Sequence, residues 1–113
     1  MAFTVDTDLL KTKDEIVIIP TKMKVGKDWY KIALKEKTPN GCFGRVGYAL
    51  HTITIATHTK RGIPINDKVI SDTLWHELTH AILHDMGSPL HDNEEFVAEF
   101  SSRLNKAILS AQF

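Results

Sequence analysis

The first half of this chain of 113 residues carries short hydrophobic runs in patterns that favour β-strands. Residues 15–19 form an aliphatic run that ends at Pro20, and residues 29–35 alternate between apolar and polar side chains. A short apolar run is typical of a buried strand, and alternation is typical of a strand with one buried face. We therefore predict a strand over each segment.

Two more strands are predicted immediately afterwards. Residues 43–48 and 52–56 are separated only by residues 49–51, and a connection this short favours an antiparallel hairpin. The alternation Thr-Ile-Thr-Ile in the second segment suits one buried and one exposed face.

The spacing of the apolar residues then changes and predicts a long helix. From Val69 to Met86 the apolar residues mostly recur at intervals of three and four, as they do along one face of an α-helix. Asn66 and Asp67 offer side chains that can cap its start, and Gly87 is a typical residue just beyond a helix end. A separate polar strip of the same helix contains Thr73, His76, Glu77, His80 and His84.

A second helix is predicted after a break at residues 87–89. Asp92 is followed three residues later by Glu95, which is a capping-box pattern and places the helix start near Asp92. The stripe expected to pack inward comprises Val97, Ser101, Leu104 and Ile108.

Together these elements predict an α+β fold, in which a small, mostly antiparallel sheet from the N-terminal half packs on two helices. With 42% hydrophobic residues, the chain has enough apolar surface for one core. We therefore expect a single domain over residues 1–113.

Charge and cysteine content narrow the function classes. The chain has 14 basic and 14 acidic residues, so its formal net charge is zero, and nothing in this balance favours binding to nucleic acid or to an anionic membrane. Cys42 is the single cysteine, which excludes an internal disulfide and agrees with a reducing compartment. With no signal peptide or membrane-spanning run in view, we expect a cytoplasmic protein.

The first helix carries a pattern with direct chemical meaning, because residues 76–80 read His-Glu-Leu-Thr-His. Positions four apart share one face of a helix, so His76 and His80 can bind the same metal ion. Glu77 leaves the helix beside them, where a general base for a zinc-activated water would stand. We predict one zinc ion bound by the two histidines, with Glu77 as the catalytic base.

A catalytic zinc site needs a third protein ligand. Glu94 lies in register with the inward stripe of the second helix, and a carboxylate on such a stripe is costly unless it meets a cation. Glu94 is therefore the predicted third ligand. Glu95, Glu99 or a histidine remain alternatives, because the register near a helix start is variable.

These two motifs resemble a known family. The stretch at residues 76–84, followed after a short break by residues 94–101, is similar to the ImmA/IrrE-type zinc metallopeptidases, especially the small phage-borne members. The resemblance covers about residues 43–108. It implies that both motif histidines and a glutamate on the following helix bind zinc, and that the motif glutamate is the general base.

The family's second motif, Glu-x-x-Ala-Asn-x-Phe-Ala, places the glutamate ligand on Glu94 when its Phe-Ala is aligned with Phe100-Ser101. This chain departs from that motif at Val97, Ala98 and Ser101.

The predicted function is that of a zinc-dependent endopeptidase, encoded by a phage or mobile element, that hydrolyses a specific protein target. The resemblance implies a regulatory protein, such as a repressor, as the substrate. The alternatives are a zinc-containing binding module of the same fold without turnover, and an interaction protein without metal.

Two features of the substrate site are also predicted. The segment 52–56 is expected to be an edge strand beside the metal, along which a peptide can lie extended. The group that stabilises the developing oxyanion is one of four candidates, namely Tyr48, Arg61, His84 and His91.

Overall fold

The computed structural model describes residues 2–4 and 18–113 of the chain. Its first two strands, β1 (Ala2–Thr4) and β2 (Ile18–Pro20), form an antiparallel pair. The strand predicted over residues 15–19 is confirmed in its last two residues. Residues 15–17 lie outside the described part of the chain.

The main sheet contains the next four strands, which form two β-hairpins along the chain. They are β3 (Lys22–Val25), β4 (Asp28–Lys35), β5 (Gly44–Gly47) and β6 (Thr52–Ala56). Their order in space is β3-β4-β6-β5. β3 and β4 pair antiparallel, as do β5 and β6, whereas β4 and β6 run parallel. The sheet is therefore mostly antiparallel, as predicted.

The hairpin predicted over residues 43–56 is confirmed, with Gly44 opposite Ile55 and Gly47 opposite Thr52. The expectation that residues 52–56 form an edge strand is wrong. β6 lies between β4 and β5, and its Ile53 side chain is fully buried. β4 pairs with one side of β6 and β5 with the other, so β5 rather than β6 lies at this edge of the sheet.

The first long helix, α1 (Asp67–Asp85), has the predicted ends. The side chain of Asn66 accepts a hydrogen bond from the amide of Val69 at 2.9 Å, which satisfies one of the free amides at the helix start. Gly87 follows the helix with a φ of 70°, the left-handed conformation that terminates many helices.

The second long helix, α2 (Glu94–Leu109), begins one residue later than predicted. Its N-cap is Asn93, which accepts a hydrogen bond from the amide of Phe96 at 2.9 Å. Asp92 is instead the last residue of a 3-10 turn, Pro89–Asp92. The capping box between Asp92 and Glu95 is therefore wrong, because this turn takes up the residue that was expected to cap the helix.

The core lies between the main sheet and the inner face of α1. Buried aliphatic side chains of α1 pack against those of the strands; they are Ile19, Ile32, Ile53, Ile55, Ile70, Leu74 and Leu78. α2 packs on α1 through Val97, and a buried hydrogen bond of 2.8 Å runs from the Ser71 hydroxyl to the Asn105 side chain. Within the described residues, neither long helix has the apolar length that a membrane span requires.

Both predicted helical stripes are correct near their middle and wrong at one end. On α1, Ile82 is 40% exposed, and Met86, just beyond the helix end, is 69% exposed, whereas the adjacent Ala81 is fully buried. On α2, Ile108 is likewise 40% exposed, whereas Asn105 is buried.

Candidate metal centre

Two histidines of α1 lie one helical turn apart and face the same cleft. The ring centroids of His76 and His80 are 5.0 Å apart, as expected for positions i and i+4. The His80 side chain is only 8% exposed and that of His76 is 25% exposed. Both rings are thus held by the surrounding protein.

Glu94 reaches both rings from the first turn of α2. Its Oε1 lies 3.1 Å from Nε2 of His76, and its Oε2 lies 3.0 Å from Nε2 of His80. A tetrahedral zinc ion with bonds of roughly 2.1 Å separates its ligand atoms by roughly 3.4 Å. Both contacts of Glu94 are slightly shorter than that value, and one ligand atom from each of the three residues lies within 4.8 Å of the others. His76, His80 and Glu94 could therefore hold a metal ion.

A backbone carbonyl orients the second histidine. His80 Nδ1 lies 2.7 Å from the carbonyl oxygen of His91 and donates a hydrogen bond to it, which leaves Nε2 free to bind a metal. His91 is itself tied to the carbonyl of Ser88 at 2.9 Å. The sequence did not predict this role of residue 91, because any residue at that position would present a backbone carbonyl.

Glu77 is buried beside the two histidines without belonging to the ligand cluster. It is 8% exposed and lines the same cleft. Burial raises the pKa of the Glu77 carboxyl above its ordinary value. The neighbouring His76 and His80 lower this pKa, and the carboxylate of Glu94 raises it. A carboxyl with a raised pKa in a cleft is well suited to accept and return a proton.

The cleft has a volume of about 770 Å³ and lies between α1, the start of α2 and the free edge of the sheet. β5 forms one wall, and Gly44 allows it to lie close to α1. A Cβ atom at Gly44 would lie 2.5 Å from Cγ2 of Thr73 and 3.1 Å from Cγ of Glu77. Arg45, the next residue, also lines the cleft, and sequence reasoning had not singled out either residue.

The alternative ligands do not join the cluster. Among the described residues, the group with metal-ligand spacing consists of His76, His80 and Glu94. Glu99 instead pairs with Arg103 at 3.7 Å, and His84 stacks on the ring of Tyr48 with centroids 3.9 Å apart.

One of the four candidates for oxyanion stabilisation lines the cleft, and it is Tyr48. Burial raises the pKa of its hydroxyl, and the carboxylates of Asp92 and Glu77 raise it further. The hydroxyl therefore keeps its proton at neutral pH and can donate a hydrogen bond. Arg61, His84 and His91 are not among the lining residues.

Comparisons with known proteins give no functional assignment, so the proposal below is based on the geometry of this site. The chain matches no protein family, no curated protein and no solved structure.

Proposed function

We propose that this chain is a zinc-dependent endopeptidase of the ImmA/IrrE type. One observation carries the proposal: His76, His80 and Glu94 converge from two helices, with the buried Glu77 beside them, in a cleft with a free strand edge. A purely structural metal site has no use for a buried carboxyl next to its ligands. This arrangement favours catalysis over simple metal storage.

The donor set favours zinc. Two imidazole nitrogens and one carboxylate are the ligands of many catalytic zinc sites, and three protein ligands leave a fourth position for water or substrate. When bound there, zinc supplies a Lewis acid for the scissile carbonyl and promotes ionisation of water. The oxygen-rich sites preferred by magnesium and calcium lack imidazole ligands of this kind.

The side chains around the ligands supply the proton transfers. Glu77 accepts the proton of the attacking water and delivers it to the leaving amine as the carbon–nitrogen bond breaks. The Tyr48 hydroxyl, which lines the same cleft, donates a hydrogen bond to the carbonyl oxygen as negative charge develops there.

The free edge of β5 provides a place for the substrate backbone. No described strand pairs with its outer side, so its amides and carbonyls can bind an extended peptide as an added strand. The edge runs along the cleft through Gly44, Arg45 and Val46. A short protein segment that can adopt an extended conformation is therefore the proposed substrate, and a regulatory protein such as a repressor in the cytoplasm of the host fits this description.

The direct test compares zinc content and proteolysis in Glu77→Gln. Because Glu77 does not bind the metal, the variant should keep its zinc. It should lose hydrolysis by roughly 10²–10⁴-fold, since general acid–base catalysis typically contributes that much. Wild type and variant are incubated with a host protein extract, and new N-termini are counted by mass spectrometry. Glu99→Gln, which removes an exposed acid on α2, is the matched control and should cleave like the wild type.

Equal cleavage by Glu77→Gln and wild type would remove Glu77 as the base. If zinc-loaded wild type generates no new N-termini, yet captures the same protein as Glu77→Gln, the chain is a binding module rather than a peptidase.

A further inference from the structure

A second, smaller depression shares a wall with the metal cleft. Its volume is about 240 Å³, and it is lined by Val25, Asp28, Tyr30, Tyr48, His51, His84 and Asp85. No lysine or arginine of the described part of the chain lines it, and we call it the acidic depression. Because Tyr48 lines both openings, a ligand in the metal cleft lies next to the acidic depression.

Tyr30 contributes an unpaired hydroxyl to this depression. The residue is only 4% exposed, and its hydroxyl makes no hydrogen bond to a described residue. Its ring packs against that of His51, with centroids 5.1 Å apart. Burial raises the pKa of the Tyr30 hydroxyl, and the carboxylates of Asp28 and Asp85 raise it further. The ring packs in the core, whereas the hydroxyl opens into the depression and can form a hydrogen bond to a ligand there.

The two carboxylates leave acceptor positions open as well. Asp28 lies 3.5 Å from Nε2 of His51, whereas Asp85 makes no hydrogen bond or ion pair with a described residue. The Asp85 carboxylate lies directly over Gly26, where a Cβ atom would come within 2.4 Å of Oδ1. Gly26 has a φ of 60°, so this close approach depends on a glycine in the turn between β3 and β4.

The chemistry of a ligand that fits the acidic depression follows from these groups. A carboxylate only accepts hydrogen bonds, so the ligand must supply the donors, and a positive charge strengthens each bond. Lysine and arginine side chains supply such donors on a positive charge.

We propose that the acidic depression binds a lysine or arginine side chain of the substrate whose backbone occupies the metal cleft. This assignment rests on the proposed peptidase function for its account of the substrate, but the binding itself does not require turnover. The enzyme is then a peptidase for extended segments that carry a basic residue close to the scissile bond.

The binding test uses zinc-loaded Glu77→Gln protein and two small probes. N-acetyl-lysine methylamide and N-acetyl-norleucine methylamide have the same backbone and stem, and only the first ends in an ammonium group. Each probe is titrated while the backbone amide signals are followed by NMR. The lysine probe should shift the signals of Tyr30, His51 and Asp85, and the norleucine probe should leave them in place.

Two carboxylate variants and a control complete the test. Asp85→Asn and Asp28→Asn should each weaken binding of the lysine probe at least about tenfold, because each removes a charge-assisted hydrogen bond. Glu99→Gln removes one negative charge elsewhere and should leave binding unchanged. Equal binding of both probes, or unchanged binding in both aspartate variants, would overturn the proposal.

The two proposals fail in different ways. If wild-type protein cleaves peptides without preference for basic residues and the lysine probe does not bind, the acidic depression is not a substrate site, although the peptidase proposal stands. If the lysine probe binds as expected but no protein is cleaved, the peptidase proposal fails and the binding site stands.

Discussion

Glu94 is the residue whose role depends most on the packing of the two helices. Its side chain is 73% exposed, yet both of its carboxylate oxygens lie within 3.1 Å of a histidine nitrogen. An exposed acid would ordinarily be free to move, so these two contacts define its position. Glu95, the adjacent residue, is exposed and lies outside the ligand cluster.

Loss of a residue that hydrogen-bonds to a metal ligand typically weakens metal binding 10–100-fold. We expect Glu94→Ala to weaken zinc binding by more than this, because it removes a ligand itself. Glu95→Ala is the matched control and should bind zinc like the wild type. The measurement is a zinc titration against a competing chelator. Strong weakening in Glu95→Ala with little change in Glu94→Ala would show that the structure has the wrong glutamate at the metal.

Glu77 should make stability depend on pH in a particular direction. Its pKa in the folded chain is raised above the ordinary value of 4.5, mainly by burial. The folded state therefore holds the proton more tightly than the unfolded state. The stability linked to this protonation is fully present below the ordinary pKa and is lost as pH rises through the folded pKa.

We therefore expect Glu77→Gln to be more stable than wild type at pH 7 in the metal-free protein, because the amide removes the cost of a buried charge. The difference should shrink at pH 4, which lies below the ordinary pKa, so that most of the carboxyl is protonated in both states. Urea unfolding in the presence of a chelator measures this free energy, with Glu99→Gln as the exposed control. A variant that is less stable at pH 7, or a difference that does not change with pH, would contradict it.

At the residue scale, most of the candidate metal centre could be predicted from the sequence. The spacing of His76 and His80 fixes their shared face whatever the rest of the fold does. Glu94 was also predicted, from its place on the inward stripe. The carbonyl of His91 and the small residue Gly44 could not be predicted, since their roles come from backbone positions that are set only when distant segments meet.

The contact between β5 and α1 is the element-scale feature on which the cleft depends. Gly44 leaves room for Thr73 and Glu77, the residues that a Cβ atom would meet at 2.5 and 3.1 Å. Gly47, on the same strand, has only the carbonyl of Thr52 within reach, at 3.8 Å. The two glycines thus form a matched pair with very different surroundings.

We expect Gly44→Ala to destabilise the fold by about 1–3 kcal/mol, the usual cost of overpacking, and to lower zinc affinity by displacing α1. Gly47→Ala should have a much smaller effect. Adding Thr73→Ser to Gly44→Ala removes the closest clashing methyl group while keeping a hydroxyl that can bond to Val69, so the double variant should regain part of the loss. Thermal unfolding measures all three proteins, and equal effects of the two alanines would be evidence against this contact.

At the element scale, the strands and helices could be predicted from local sequence patterns. The N-cap of α2 and the place of β6 in the sheet could not. Asp92 and Asn93 are both good capping residues, and the choice between them depends on the 3-10 turn that precedes α2. The place of β6 inside the sheet depends on parallel pairing with β4. That pairing joins segments separated by residues 36–51, which include β5, and no local sequence pattern predicts it.

At the scale of the whole molecule, the candidate metal centre brings together residues of both long helices. α1 packs on the sheet, and α2 packs mainly on α1. A zinc ion held by ligands from both helices would fix the angle at which α2 meets the cleft, and metal binding would then stabilise the fold. The α+β fold predicted from the sequence is confirmed.

The measurement that tests this account most directly is the metal content of the purified protein, with wild type beside His80→Ala. Elemental analysis should find about one zinc ion per wild-type chain and none in the variant, since a site with two remaining ligands binds weakly. Wild-type protein that is purified without chelator, contains no zinc and takes up none when zinc is added would contradict the account. So would a His80→Ala variant that keeps its zinc.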